Sequence, residues 1–497
     1  MMNTVIFNGM ICDGSGNEPE PKDLLLKDGR IADIVPPGNL NKTDAEKIDA
    51  KGKVVAPGFI DVHAHGDTRK LHYPERKSVL LQGITTEIDG NCGDSDSCAP
   101  GESNGFRWNN LEEYAEIINE LKCSVNTVVL AGHNTIRQQV MGDSSDHASA
   151  EEIKAMQHLL EKALESGAAG WSSGLTYFPG KFSDEEELKA LSRVTAGTEK
   201  IYATHMRSEG DDLFNALQEA VNVAKAGSNR LQISHLKTIF PRNFHKIDRL
   251  LEMIGMERQN MDLHCDRYPY IYSSTRIGQI LPAPYDKIVD IQERLRTSKE
   301  FRKELAAALK NSPRDLKTTI LISENRTLAE IAEERGRTVE EIGMEMLMQD
   351  PGQTAAYLCM SEANLNRILA QPYVCAGSDG ISCQLDDPAQ EGHPRAVGSF
   401  PKFYRLVSQM SSVGEAVCKM TGLPATIFRI PDRGFIRKGK IADLVIFDPE
   451  KLDSFAGFSR NNLRPEGIDK VFVNGQIAWN SAAPHQIGRH GRFIAVN

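Results

Sequence analysis

Apolar and polar residues follow two different periods along this chain, and the change of period divides it. At both ends the period is two. Residues 5–11 (VIFNGMI) set two short apolar runs about Asn8-Gly9, and residues 471–479 (VFVNGQIAW) repeat the arrangement about Asn474-Gly475. Asn-Gly suits a type I′ turn, in which both central residues need positive φ, so each stretch predicts a hairpin. Residues 24–35 (LLLKDGRIADIV) predict a third about Asp28-Gly29, and residues 440–448 (KIADLVIFD) a further strand. The likeness of the two ends predicts one small β-sandwich domain assembled from residues 1–56 and 437–497.

Between them, over residues 57–436, helical spacing takes over. Residues 111–121 (LEEYAEIINEL) place Leu111, Tyr114, Ala115, Ile118 and Leu121 on one helical face. Residues 149–167 open with a capping box, Ser149 and Glu152, and close at Gly167; residues 182–191 (FSDEEELKAL) open with another, Ser183 and Glu186. The helices alternate with short apolar runs: TVVLAG (127–132), AAGWS (168–172), IYATH (201–205), LQISH (231–235), MDLHC (261–265) and YVCAGSD (373–379). Such alternation predicts a parallel sheet in an α/β fold, here a TIM-like (β/α)8 barrel. Residues 283–350 break the rhythm with charged helical sequence and predict a helical insertion covering one end of the barrel.

Charge and cysteine usage narrow the function. With 58 Lys and Arg against 68 Asp and Glu, the formal charge is −10, so nothing on average offsets repulsion from phosphates, which argues against a nucleic-acid role. No stretch approaches the ~20 apolar residues that span a bilayer, and the first residues have no basic, then apolar, leader pattern. Nine cysteines without a CxxC pair read as reduced thiols, and the protein is expected in the cytoplasm.

The chemistry-bearing residues sit where the predicted strands end. His63 and His65 close the run VVAPGFIDVHAH; residues i and i+2 of a strand share a face, so both imidazoles point to one centre. Cys92 follows another apolar segment between Gly90 and Gly93, a soft ligand suited to zinc. His205 and His235 each close a predicted strand, 30 residues apart, about one βα unit of a barrel. Asp379 follows YVCAGS in the same way. Each is ambiguous alone, since such residues also serve as hydrogen-bonded structure. Together they are metal-ligand residue types on the C-terminal ends of separate strands, the face on which barrel enzymes build their sites.

The strings GFIDVHAHGD, YATHMRSEG, ISHLK and GSDG, with the paired β end-segments, resemble the amidohydrolase superfamily. GNCG followed by CAP, then THMR, SHLK, DRYPY and HPR with GSFPK, narrows the resemblance to the N-acyl-D-amino-acid deacylase (D-aminoacylase) branch, over essentially the whole chain. The resemblance implies a tightly held zinc on Cys92, His205 and His235, and a second, weaker metal position at His63 and His65, with Cys92 able to bridge and Asp379 nearby. Many cyclic-amide hydrolases of the superfamily bridge their metals with a carboxylated lysine on the strand that here reads AAGWSSGLTY, which holds no lysine. One departure stands beside Cys92: the link DSDSC (94–98) between GNCG and AP is longer than usual in the branch.

In that chemistry zinc activates water and polarises the amide carbonyl, and Asp379 shuttles the proton as catalytic base and acid. Lys237 shares the face of His235 by strand period, and Arg395 can grip a carboxylate with two bonds, so both are expected to hold the substrate's α-carboxylate. The resemblance adds Tyr268 and Ser274 as hydroxyl donors to it. Arg276, the cation nearest DRYPY, points weakly to an acidic side chain. The expected partner is a small N-acyl amino acid, with no nucleic acid and no membrane. Two other readings stay open: another metal-dependent hydrolase of cyclic amides or dipeptides, and a non-catalytic scaffold.

Overall fold

The computed structural model describes residues 3–40, 43–288, 290–312, 314–381, 392–458 and 464–497. Eight parallel strands run in chain order round one sheet: β1 (Phe59–Asp61), β2 (Ile84–Asp89), β3 (Asn126–Gly132), β4 (Gly170–Gly174), β5 (Ile201–His205), β6 (Arg230–Ile233), β7 (Asp262–Arg267) and β8 (Val374–Ala376). Residues just beyond β1 and β8 close the ring. Ala64 bridges Gly380, His65 N donates to the Gly380 carbonyl at 3.1 Å, and Asp379 N donates to the His63 carbonyl at 2.8 Å. The backbone bonds that complete the barrel therefore also draw His63, His65 and Asp379 together.

Period-two burial sorts the strand residues into two layers. Ile88, Val128, Leu130, Ile201, Ala203 and Cys375 pack with Ile427, Phe428, Ile494 and Val496. Ile494 N bonds the carbonyl of Thr127 and Arg230 bonds that of Ile427, so these segments cap the N-terminal end of the strands. The alternate residues Trp171, Tyr202 and Val374 pack outward against the helices. Among those helices Leu111–Leu121 buries Leu111, Tyr114 and Ile118 as its spacing predicts, and Ala150–Glu165 keeps the full Ser149/Glu152 capping box. The helix Glu185–Ser192 departs by one residue: Asp184 is the cap, accepting from Glu187 N at 2.8 Å, because Ser183 Oγ is already spent on the Gly180 carbonyl.

Both chain ends meet in a second eight-stranded sheet, in which Leu444–Phe447 pairs with Val54–Pro57 and Thr4–Ile11 lies next along. Its two arms fold over one core that includes Ile6, Leu24, Ile31, Leu444 and Phe472. The hairpins about Asp28-Gly29 and Asn474-Gly475 form, with Lys27 opposite Arg30 and Val473 opposite Gln476. The one expected about Asn8-Gly9 does not. Thr4–Ile11 is a single strand, and Asn8, at φ 61°, sits where the register slips between Ile6 and Gly9. Asn8 N donates to Asp23 and its amide to Asp49, so side chains of neighbouring strands take up the left-handed residue as a bulge.

Between β7 and β8 the chain leaves the barrel. Helices Ile291–Thr297, Lys299–Leu309, Leu328–Glu334 and Val339–Gln349 share a core that includes Leu295, Leu305, Ile331 and Leu347. They lie with a four-stranded antiparallel sheet, in which Tyr272–Arg276 pairs with Thr354–Leu358. Helical periodicity alone does not reveal those strands. No helix among the described residues is long and apolar enough to cross a membrane.

Candidate active site

The site is assembled from loops that begin where the barrel strands stop. Only His205 is the last residue of its strand; His63, His65, Cys92, His235 and Asp379 lie two to four residues past β1, β2, β6 and β8. Cys92, His235 and Asp379 adopt positive φ, 55°, 38° and 49°. Left-handed backbone costs a residue with a Cβ about 1–2 kcal/mol, and here it swings each side chain off the strand line into a common centre.

Gly90 makes that turn possible beside Cys92. It sits at φ 76°, and a Cβ there would overlap the carbonyl oxygen of Leu130 on the neighbouring strand. Gly52, at φ 73°, has open space instead. Gly90→Ala is therefore expected to cost about 2 kcal/mol more stability than Gly52→Ala, and to lower bound metal, because the displaced loop carries Cys92. Thermal unfolding of both variants and metal analysis check this.

At the centre, Cys92 Sγ lies 3.3 Å from His63 Nε2, 3.6 Å from His235 Nε2 and 3.8 Å from His205 Nδ1. Asp379 Oδ1 is 3.1 Å from His65 Nε2 and 3.6 Å from His63 Nε2, while Arg395 Nη1 donates to Asp379 Oδ2 at 2.7 Å. Among the described residues three sets of side chains are close enough to share an ion: His63, Cys92 and His235; His63, His65 and Asp379; and His205, Glu209 and His235; the expected trio Cys92, His205 and His235 is divided between the first and the last.

Two carboxylates in this arrangement escape the strand-end reading. Glu209 Oε1 lies 3.0 Å from His235 Nδ1 and accepts from Lys237 Nζ at 2.8 Å. Asp266, on β7, accepts from His235 N at 2.8 Å and stands 3.2 Å from His63 Nδ1. Asp266 was open to the rule that found Asp379, since it lies one residue from a strand end. Glu209 carries only a weak signal, four residues after His205 in THMRSEG.

Burial sets the charges. It pushes the Cys92 thiol far above its ordinary range, Asp379 adding to the effect, and it holds His205 and His235 low and hence neutral at physiological pH. Burial also acts upward on Asp379 and Glu209 but is overcome, by Arg395 and His65 at Asp379 and by Lys237 at Glu209, so both carboxyls stay ionised. On Cys92 the Lys237 ammonium acts the other way and favours the thiolate, but it does not overcome burial.

A cleft of about 520 Å3 opens over this centre, lined by His205, His235, Asp379 and all four expected carboxylate-binding residues, Lys237, Tyr268, Ser274 and Arg395. Tyr268 lies under two guanidinium groups, 4.1 Å from that of Arg267 and 4.9 Å from that of Arg395, and its buried hydroxyl has no partner among the described residues. Arg276 is exposed and is not on the cleft wall. The longer link after Cys92 is packed down: Gly132 N donates to Ser95 Oγ, and Ser97 Oγ donates to Asp67. Its Asp94 shares a small recess with His65.

Comparison with known proteins places the chain in a family. The profile of the amidohydrolase family matches residues 46–244 and 290–478. The D-aminoacylase of Alcaligenes xylosoxydans xylosoxydans is 33% identical, over 99% of this chain and 97% of its own, and the N-acyl-D-glutamate deacylase of the same organism is 32% identical over 98% and 96%. The crystal structure of the Bordetella bronchiseptica N-acyl-D-glutamate deacylase, complexed with zinc and a phosphonate mimic of the tetrahedral intermediate, superposes with a TM-score of 0.84 at 31% identity, covering 99% of each chain. The family match and the full-length likeness in sequence and fold show that the chain belongs to the amidohydrolase family, in its D-aminoacylase branch.

Proposed function

We propose that the protein hydrolyses the amide bond of N-acyl-D-amino acids, releasing a carboxylate and a free D-amino acid, with zinc held by Cys92, His205 and His235. The observation that carries this reading is the placing of one buried thiol within 3.3–3.8 Å of three imidazoles beside the ionised Asp379. Zinc with a bond of about 2.3 Å to sulfur and about 2.1 Å to nitrogen keeps tetrahedral S and N donors about 3.6 Å apart, and Cys92 Sγ stands at 3.6 Å from His235 and 3.8 Å from His205, so each of these pairs fits it. A metal cation would add to Lys237 in favouring the Cys92 thiolate. His63 and His65, with Cys92 and Asp379 beside them, would hold a second, weaker metal. Bound zinc acidifies water and polarises the scissile carbonyl. Asp379 takes the proton of the attacking water and returns it to the leaving nitrogen.

Lys237 and Arg395, already balanced against Glu209 and Asp379, keep further N–H donors for the substrate's α-carboxylate, and the hydroxyls of Tyr268 and Ser274 complete that pocket. Residues 57–436 carry this chemistry, and the β domain from residues 1–56 and 437–497 supports the barrel. The eight cysteines among the described residues are free thiols, which supports a cytoplasmic setting.

The reading is tested with N-acetyl-D- and N-acetyl-L-amino acids in the presence of zinc. Two substituents of the α-carbon are held, the carboxylate by the pocket and the amide by the metal centre. Exchanging D for L therefore drives the side chain into the space meant for hydrogen. We expect kcat/KM to favour D by at least about 10²-fold, and capping the carboxylate as an amide to abolish charge-assisted bonds worth about 1.5–3 kcal/mol each. Equal rates on both enantiomers, or indifference to the cap, would favour a cyclic-amide substrate instead.

A further inference from the structure

The wall of the cleft carries four guanidinium groups, and three are committed. Arg207 is paired with Glu219, Arg242 with Asp211 and Arg395 with Asp379. The fourth, Arg314, has no carboxylate partner among the described residues, and its Nη1 is buried without a hydrogen-bond partner. The side chain is nevertheless held in place. Its guanidinium lies 4.3 Å from the ring of Tyr357 and 5.7 Å from that of Phe240, and the Tyr357 hydroxyl is itself anchored on the Arg276 carbonyl at 2.9 Å. A planar fork fixed between rings, with donors left over, is the arrangement that receives a carboxylate with little loss of side-chain freedom.

Arg314 also has room before it and behind it. It lines the catalytic cleft on one side, and on the other a second cavity of about 670 Å3 that shares Phe240 and Arg314 with the first. A substrate anchored at the metal centre and at Lys237 and Arg395 can therefore extend a further group toward this junction.

We propose that Arg314 binds a second carboxylate of the substrate, so that the preferred substrates are N-acyl-D-amino acids carrying two carboxylates. The second one belongs either to the side chain, as in a D-glutamate or D-aspartate derivative, or to the far end of the acyl group. This inference rests on the deacylase reading above and adds to it a place on the insertion that selects among substrates.

The test measures kcat/KM, with zinc, on N-acetyl-D-glutamate, N-succinyl-D-leucine and N-acetyl-D-leucine for the wild type, Arg314→Gln and Arg314→Lys. We expect the wild type to prefer one of the two dicarboxylates over N-acetyl-D-leucine, and which one identifies the source of the carboxylate. Arg314→Gln should lower kcat/KM for that substrate by about 10–100-fold, mainly through KM, as expected for losing a charge-assisted bond. Arg314→Lys should recover part of the loss. N-acetyl-D-leucine should stay within about twofold, which also shows that the variants fold and bind metal. A wild type with no preference for either dicarboxylate overturns the subsite, as does a loss common to all three substrates in Arg314→Gln. Failure of the wild type to hydrolyse any of the three, or any other N-acyl-D-amino acid, overturns the deacylase reading itself.

Discussion

Cys92→Ala is expected to remove most of the bound zinc and nearly all activity together. The binding free energy of a structural zinc, about 10–16 kcal/mol, shared over three or four donors leaves about 3–4 kcal/mol per donor, or roughly 10²–10³-fold in affinity for one ligand lost. Cys92 faces His63, His205 and His235 at once. Its removal therefore weakens both proposed metal positions, whereas His65→Ala would touch only the second. Zinc per chain by atomic absorption, set beside turnover of an N-acetyl-D-amino acid, decides the matter. Stoichiometric zinc in Cys92→Ala would move the tight site to His205, Glu209 and His235, the other buried group able to hold an ion.

Asp379→Asn should separate chemistry from metal binding. The change keeps the side chain's size and removes the basic carboxylate, so kcat is expected to fall about 10²–10⁴-fold, with the zinc on Cys92, His205 and His235 retained. The same substitution frees Arg395 from its 2.7 Å pair with Asp379, so KM for the anionic substrate should hold or fall while kcat collapses. Near wild-type turnover in Asp379→Asn would place the proton transfer on another group. Glu209 is the remaining ionised carboxylate on the cleft wall beside a histidine of the site, and Glu209→Gln would then be the variant that loses kcat.

Much of the barrel is legible along the chain because its cues are local. A strand's period and a helix's cap depend on residues two to four apart, which is why the helix Leu111–Leu121 and the Ser149/Glu152 box occur where the pattern sets them. Asn8-Gly9 shows the limit of such cues. The pair supplies a left-handed residue, but whether the chain turns back there or continues through a bulge was decided by Asp23 and Asp49, which belong to other strands.

The same division runs through the site. His63, His65, Cys92, His205, His235 and Asp379 are readable because ligand chemistry belongs to residue type, and the ends of parallel strands must meet once a barrel closes. Partners are a different matter, since a contact between residues far apart in sequence exists only after folding. Closure by the Ala64–Gly380 bridge puts Asp379 against residues 314 and 316 positions earlier. Asp266 reaches back to His63 across the mouth of the barrel. Arg276, near the DRYPY motif in sequence, is not on the cleft wall, whereas Arg314 is brought to it from within the insertion. Residue types and their order determined the fold and the chemistry; which carboxylate each cation balances, and which cation stays free for substrate, was decided by distances that only tertiary packing sets.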